Sequence, residues 1–252
     1  MTLYIIGLGL NGPEDITVKG LELVKSCDEV YLERYTSLLQ CSFHDLAKFY
    51  DREITLADRN TSEQGMEKIV AQAKTENVAF LVIGDPFSAT THTALFKIAK
   101  DEGVKVDVIH NASILTAIGQ TGLQLYKFGK TTSIPFLDDF PQLETPYRIL
   151  QQNQKIGAHT LLLLDIKVEQ ERFMTVKQAI EVMEDIESRV SENVISDDTF
   201  AIGCARLGCS DFKIISGTLK QLKEVDFGKP LHSLIIPGKM HFSEEEIVDM
   251  WK

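Results

Sequence analysis

The apolar run Phe80-Leu81-Val82-Ile83 stops at Gly84-Asp85-Pro86, and Phe87-Ser88-Ala89-Thr90-Thr91-His92 follows. One carboxylate and several hydroxyls thus stand just beyond a short β-branched run. Such a run, closed by Gly-Asp-Pro, reads as a buried parallel strand. Ligands of open α/β sheets bind outside the carboxyl ends of such strands, so Asp85 is placed to anchor a polar ligand group. The same residues also make an ordinary tight turn. In that reading Asp85 bonds its own backbone, and Thr90 or Thr91 caps the next helix. From this stretch alone the two readings weigh evenly.

A second candidate is Gly7-x-Gly9-x-x-Gly12, directly after the strand Leu3 to Ile6. It matches the dinucleotide fingerprint, and Glu33 lies near the expected ribose-binding position. The context opposes it. In the dinucleotide fold the third glycine lies where a helix packs on the strand. Here Pro13-Glu14-Asp15 follows Gly12, and helical periodicity resumes only after Thr17. Gly7 and Gly9 read better as points where the backbone approaches a ligand or a neighbouring loop, with a simple glycine turn as the plain alternative.

The six histidines are His44, His92, His110, His159, His232 and His241. None stands in an H-x-x-x-H, H-E-x-x-H or Cys/His spacing, so no dedicated metal site is expected. Asp107, His110 and Ser113 are too close along one strand to form a hydrolytic triad, and there is no nucleophile elbow. No G-x-x-x-x-G-K-[ST] loop is present.

The elements that must position these residues alternate regularly. Strands are expected at Leu3 to Ile6, Glu29 to Glu33, Glu53 to Ala57, Val78 to Ile83 and Val104 to Ile109. Helices fall between them, opened by Thr17, by Ser42 and by a Thr61-Ser62-Glu63-Gln64 capping box, and Tyr35-Thr36-Ser37 reads as a loop. This βαβ repetition predicts an open parallel sheet with helices on both faces. After Asn111 the pattern changes. Helices are expected at Ala112 to Thr121, Pro146 to Lys155, Thr175 to Val190 and Glu244 to Trp251. Strands are expected at Thr131 to Phe136, His159 to Asp165, Thr199 to Arg206, Phe212 to Ser216 and Leu231 to Ile236. Too few helices separate the last strands for a purely parallel sheet, so a mixed sheet is expected. The chain divides into an N-terminal α/β domain, 1–111, and a C-terminal α/β domain, 112–252.

The 252 residues, 44% apolar, suffice for a full core. A net charge of −11 argues against sequence-independent nucleic-acid binding, which needs a basic face. The four cysteines, Cys27, Cys41, Cys204 and Cys209, form no C-x-x-C pair. No apolar run approaches the roughly 20 residues of a membrane span. The N-terminus enters a strand without a basic leader. A cytoplasmic protein is the simplest expectation.

Several longer matches now add up. They are Leu3-Tyr4-Ile5-Ile6-Gly7-Leu8-Gly9-Leu10, Asp15-Ile16-Thr17-Val18-Lys19-Gly20-Leu21, Tyr35-Thr36-Ser37, Gly84-Asp85-Pro86 with Ala89-Thr90-Thr91-His92, and Val108-Ile109-His110-Asn111-Ala112-Ser113-Ile114. Further on come Leu125-Tyr126-Lys127-Phe128-Gly129, His159-Thr160-Leu161, Leu164-Asp165-Ile166-Lys167, Ala205-Arg206 and Pro230-Leu231-His232. In order, and out to about Gly238, the chain resembles the tetrapyrrole methylases, in their branch that modifies translation elongation factor 2.

That resemblance implies two α/β domains with S-adenosylmethionine in the cleft between them, in a protein that is usually a homodimer. It implies methyl transfer to the aminocarboxypropyl group carried by a histidine of elongation factor 2. Archaeal-type enzymes stop at three methyls on nitrogen, and eukaryotic-type enzymes add a fourth on the carboxylate. Tyr31-Leu32-Glu33, Asp85-Pro86-Phe87, His110-Asn111-Ala112 and Gly122-Leu123-Gln124-Leu125 are closer to the eukaryotic type. The segment between Lys167 and Met174 is shorter than that type often has.

Carried over by position, the implied cofactor contacts are Leu10, Asp85, Ser88, Ser113, Ile114, Leu164, Leu207 and His232. Leu10, Ile114, Leu164 and Leu207 would enclose the adenine and thioether arm. Asp85, Ser113 and His232 would supply polar anchors. Such a pocket is mostly apolar with a few placed polar groups. For each leucine alone, ordinary core is the commoner role. The resemblance assigns no general base.

Three readings stand side by side: this methyltransferase, an NAD-dependent oxidoreductase using Gly7, Gly9 and Gly12, and a non-catalytic module that binds elongation factor 2. Parallel thermal titration separates the first two. S-adenosylmethionine is expected to raise the melting temperature while NADH leaves it unchanged.

Overall fold

A computed structural model describes residues 1–33, 37–57 and 65–252. Tyr35 and Thr36 of the expected loop, and the Thr61–Gln64 capping box, lie outside the described residues.

Alternation along one strand sets the layers of the first half. Val78, Phe80 and Val82 of β4 (Val78–Val82) join the core that includes Met66, Ile69 and Leu95. Ala79 and Leu81 join a separate core with Val24, Leu46 and Tyr50. A strand apolar on both sides must be covered on both faces, as in parallel sheets flanked by helices. The helices that cover it are α1 (Val18–Ser26), α2 (Phe43–Tyr50), α3 (Met66–Gln72) and α4 (Thr93–Asp101). The sheet is parallel throughout, in the order β3 (Thr55–Ala57), β2 (Glu29–Glu33), β4, β1 (Thr2–Gly7), β5 (Lys105–Ile109). Thr17 caps α1 by accepting from the Gly20 N–H at 3.0 Å. Ser42 and Asp45 form a reciprocal capping box on α2.

The second sheet is mixed, in the order β11 (Lys213–Thr218), β10 (Phe200–Ala205), β12 (His232–Ile236), β7 (Thr160–Leu164), β6 (Thr132–Ile134). Only β6 and β7 pair in parallel. Its core joins strand residues such as Leu162 and Leu234 to Leu150 of α6 (Thr145–Lys155) and Ile180 and Met183 of α7 (Val176–Val190).

Some boundaries differ from expectation. The helix expected over Ala112 to Thr121 is one turn, α5 (Ile114–Ala117), continued as a 3₁₀ turn over Ile118–Thr121. Gly122 follows at φ +95°, and a Cβ there would meet Ile247 at 2.4 Å. The short segment after Lys167 is a hairpin, β8 (Ile166–Lys167) with β9 (Arg172–Phe173). Arg172 lies over the Phe136 ring, 3.7 Å from its centroid, and pairs with Asp138. A turn of helix, α8 (Leu219–Leu222), was not anticipated. The last helix, α9 (Phe242–Val248), starts two residues before the expected Glu244.

The chain forms two compact units. One is Met1–Ala117 together with Gly208–Ser210, the other Ile118–Leu207 with Asp211–Lys252. The sequence reading divides the chain once, near Asn111, and does not anticipate the return of Gly208–Ser210 to the first unit.

Glu244 is the buried charge on which the second unit turns. It is 1% exposed. Its Oε1 accepts from the Gln124 N–H at 2.8 Å and from His159 Nε2 at 3.0 Å, and its Oε2 from the His241 N–H at 2.7 Å and from Lys127 Nζ. Burial pushes its carboxyl up, but these donors outweigh burial and hold it down at about 2. His159 Nδ1 accepts from the Gly238 N–H at 2.9 Å, so the ring is neutral with its proton on Nε2, facing Glu244. Burial lowers the His159 pKa, in keeping with that neutral form.

Both groups sit below their unfolded values. The stability they contribute is therefore present above those values and lost as pH falls. For Glu244 the loss runs from its ordinary 4.5 down to about 2. Glu244→Gln leaves Lys127 without its carboxylate and is expected to cost about 3–5 kcal/mol in urea unfolding. It is also expected to flatten the acid limb of the stability curve in that window.

Candidate active site

The carboxyl ends of β4, β1 and β5 carry the residues of interest in the first unit. β1 runs past its last paired residue into Leu8-Gly9-Leu10. Leu8 donates to Val82 O at 2.9 Å, and Gly9 and Gly84 exchange backbone hydrogen bonds at 3.3 and 2.8 Å. Gly9 stands at φ +80° and Gly84 at φ +81°, so the crossing needs glycine at both. Gly7 is tight for a different reason: a Cβ there would come within 2.6 Å of Gly84 O.

Asp85 is buried and fully engaged. Its Oδ1 accepts from the Phe87 N–H and from Ser88 Oγ, both at 3.0 Å. Its Oδ2 accepts from His110 Nδ1 at 2.7 Å and from the Asn111 N–H at 3.2 Å. Burial raises its pKa, yet the four hydrogen bonds outweigh burial and hold the carboxyl below its ordinary value. The turn reading of this stretch is thus correct in its backbone bond to Phe87. The threonine caps do not form. The residue before α4 is His92, with no side-chain cap, and Thr90 donates to Pro86 O at 2.6 Å instead.

Asn111 ties the next loop to the first. Its Nδ2 donates to Gly7 O at 3.0 Å and to Asp15 O at 2.9 Å. Asp15 Oδ2 in turn accepts from the Leu10 and Asn11 N–H groups at 3.2 and 2.8 Å. The glycine loop therefore already holds a carboxylate on its amides. A dinucleotide pyrophosphate would meet that charge instead of open donors. Gly12 leads into a 3₁₀ turn, Pro13–Asp15, and α1 starts only at Val18. The NAD reading has no structural support.

Leu10, Asp85, Ser88, Ser113 and Ile114 all belong to this unit, the first four on loops that follow β1, β4 and β5 and Ile114 at the start of α5. Leu10 also meets the returning segment. Cys209 Sγ lies 3.7 Å from Leu10 O, and a Cβ on Gly208 would come within 2.7 Å of the Leu10 side chain. Ser113 is 3% exposed, and its Oγ has no hydrogen-bond partner among the described residues. Its backbone is satisfied by Thr116, whose hydroxyl accepts from the Ser113 N–H at 3.2 Å and donates to Ser113 O at 2.9 Å.

Leu164, Leu207 and His232 belong to the second unit and share one edge of its sheet. Leu164 ends β7, Leu207 lies two residues beyond β10, and His232 opens β12 between them in the strand order. Leu164 and Leu207 are buried, and Leu164 is part of the core. His232 Nε2 donates to Lys229 O at 3.0 Å and Gly228 O at 3.2 Å. That assigns the proton to Nε2 and leaves Nδ1 an acceptor. Nδ1 is buried without a partner among the described residues. Burial lowers the His232 pKa and outweighs these two carbonyls. The loop holding His232 is itself pinned by Arg206, which donates to Phe227 O at 3.0 Å, to Lys229 O and to Asp211.

Two buried polar atoms, Ser113 Oγ and His232 Nδ1, thus lack partners at positions the resemblance assigns to the cofactor. Taken unit by unit, the Ser113 hydroxyl and the His232 Nδ1 acceptor each offer a hydrogen-bonding atom suited to an amine or hydroxyl edge of a ligand. Among the described residues no group of three or more His, Cys, Asp or Glu is arranged to hold a metal ion. No described helix is long and apolar enough to cross a membrane. Sequence reasoning missed the link between His110 and Asp85. The available signal was that both lie just beyond the carboxyl ends of strands flanking β1.

Residues 2–223 match the family model described as Tetrapyrrole (Corrin/Porphyrin) Methylases. The diphthine methyl ester synthase of Dictyostelium discoideum is 46% identical over 269 residues, covering 100% of this chain and 98% of that protein. The human diphthine methyl ester synthase is 45% identical over 269 residues, covering 99% and 94%. A solved crystal structure of a diphthine synthase superposes with a TM-score of 0.91 at 37% identity, covering 100% of this chain and 96% of that one.

The orphaned hydroxyl separates a structural from a binding role. Ser113→Ala is expected to leave stability unchanged or raise it by up to ~1 kcal/mol, because a buried unpaired hydroxyl is removed. The same variant is expected to weaken ligand binding, read by calorimetry.

Proposed function

We infer, because this chain belongs to the tetrapyrrole (corrin/porphyrin) methylases, that it is an S-adenosylmethionine-dependent methyltransferase of diphthamide biosynthesis. Its substrate is translation elongation factor 2 bearing an aminocarboxypropyl-modified histidine. The observation that carries this reading is identity of 45–46%, across essentially the full length of both chains, to diphthine methyl ester synthases. Those names favour the four-methyl product, diphthine methyl ester, over the three-methyl product, diphthine. The resemblance also supports a cytoplasmic homodimer.

When bound, S-adenosylmethionine supplies the methyl group on an activated sulfonium. The protein's task is then positioning, which can supply roughly 7–11 kcal/mol of a barrier of this kind. On the first unit the proposed contacts are Leu10, Asp85, Ser88, Ser113 and Ile114. On the second they are Leu164, Leu207 and His232. His232 Nδ1 offers an acceptor to an amine edge, and Ser113 Oγ offers a donor or acceptor to a polar one. The leucines and Ile114 provide apolar walls. Asp85 organises the loop that presents Ser88 and, through the Asn111 backbone, the loop that leads to Ser113.

Asp85→Ala is expected to weaken S-adenosylmethionine binding by at least tenfold, about 1.4 kcal/mol, in calorimetry while the far-UV spectrum stays native. Unchanged affinity would remove Asp85 from the site. Mass spectrometry of the intermediate-bearing factor after turnover tests the activity itself. Added mass equal to three or four methyl groups is expected, and none would overturn the reading in favour of a non-catalytic binding module.

A further inference from the structure

The Asp85 carboxylate points one of its oxygens at a histidine that is otherwise open to solvent. His110 directly follows β5, and its Nδ1 lies 2.7 Å from Asp85 Oδ2. The two side chains differ sharply in exposure, 68% for His110 and 9% for Asp85. A carboxylate oxygen accepts, so Nδ1 is the donor of this bond, and in the neutral form of the ring Nε2 is the acceptor. The ring is restrained on another side by Phe87, whose centroid is 6.2 Å away in an edge-on arrangement. Asp85 is the one charged group hydrogen-bonded to this ring among the described residues. A buried carboxylate that fixes the tautomer of an exposed imidazole is the arrangement that serves a general base. It stands among the residues assigned to the cofactor, with Asp85 and Ser88 in the bonded loop and Ser113 and Ile114 three and four residues on.

We propose that His110 is the proton acceptor for methylation of the substrate amine, with Asp85 as its positioning residue. The assignment rests on the methyltransferase reading above. An amine is mostly protonated near neutral pH and has no lone pair to attack with. In each nitrogen methylation His110 Nε2 takes one N–H proton. The freed nitrogen pair forms the N–C bond, and the C–S bond breaks with its electrons on sulfur. An ammonium that becomes a trimethylammonium gains three methyl groups and loses three protons, so the base is needed three times. The exposed ring returns each proton to solvent. A methylation of the carboxylate differs: that oxygen already has its lone pair and sheds no proton. His110 therefore matters for nitrogen methylation and not for ester formation.

Three measurements test this. In the cofactor-free protein, ¹⁵N NMR at a pH where the imidazole is neutral is expected to show the His110 tautomer with its proton on Nδ1. A proton on Nε2 would overturn the proposal. His110→Ala and His110→Gln are expected to bind S-adenosylmethionine within about twofold of wild type, and to slow single-turnover nitrogen methylation by about 10²-fold at neutral pH. That deficit is expected to shrink steadily as pH rises and the amine deprotonates unaided. A deficit equal at every pH, or a matching loss of cofactor affinity, would overturn it. Finally, factor already trimethylated on nitrogen is expected to be esterified by the variants at the wild-type rate, and an equal slowing there would overturn the role. Absence of all methyl transfer by wild type would instead overturn the methyltransferase reading. The tautomer measurement does not depend on turnover and separates the two failures.

Discussion

The first unit depends on one buried carboxylate. Asp85 accepts four hydrogen bonds, two from its own turn and two from the loop after β5. Strands β4 and β5 are not neighbours, since β1 lies between them. The carboxylate therefore bridges loops that no backbone ladder joins. Charge-assisted hydrogen bonds of this sort are roughly twice as strong as neutral ones. Leaving such a group unpaired in the interior would be costly, so the loops and the carboxylate hold one another. Asn111 extends the link to Gly7 and Asp15, and Asp15 closes the glycine loop by accepting from Leu10 and Asn11. The loops after β1, β4 and β5 form a single hydrogen-bonded frame.

The second unit solves a similar problem with Glu244, which gathers donors from three separated stretches around Gln124, His159 and His241. The two acids differ in what their histidine partners face. Glu244 is enclosed, and its histidine partner is enclosed with it. Asp85 is enclosed while its histidine faces water. The first arrangement can only stabilise. The second orients an exposed imidazole by a hydrogen bond to a buried carboxylate.

Much of the fold was legible because hydrophobic period and capping chemistry are local. β1, β2, β4, β5, β10 and β12 and helices α1, α2 and α7 fall close to where apolar runs and Thr17, Ser42 and Thr175 put them. The β8–β9 hairpin was not legible, since strands of two residues carry no period. Nor was the burial of Glu244. Near the start of a polar helix it reads as surface, and only Lys127, Gln124 and His159 converging on it from elsewhere in the chain make it interior.

The sequence by itself determined the open parallel sheet, the mixed sheet after it, the glycine-lined strand ends and, through motif resemblance, the family. These follow from side-chain period, from turn chemistry and from runs of residues that a resemblance can match. Tertiary structure alone decided which polar groups are satisfied. It closed the Gly7-x-Gly9-x-x-Gly12 loop on Asp15, left Ser113 Oγ and His232 Nδ1 without partners among the described residues, and aimed His110 Nδ1 at Asp85. The physical reason is distance along the chain. A hydrogen bond between residues 25 apart depends on the order of strands in a sheet, and no local pattern of residues encodes that order.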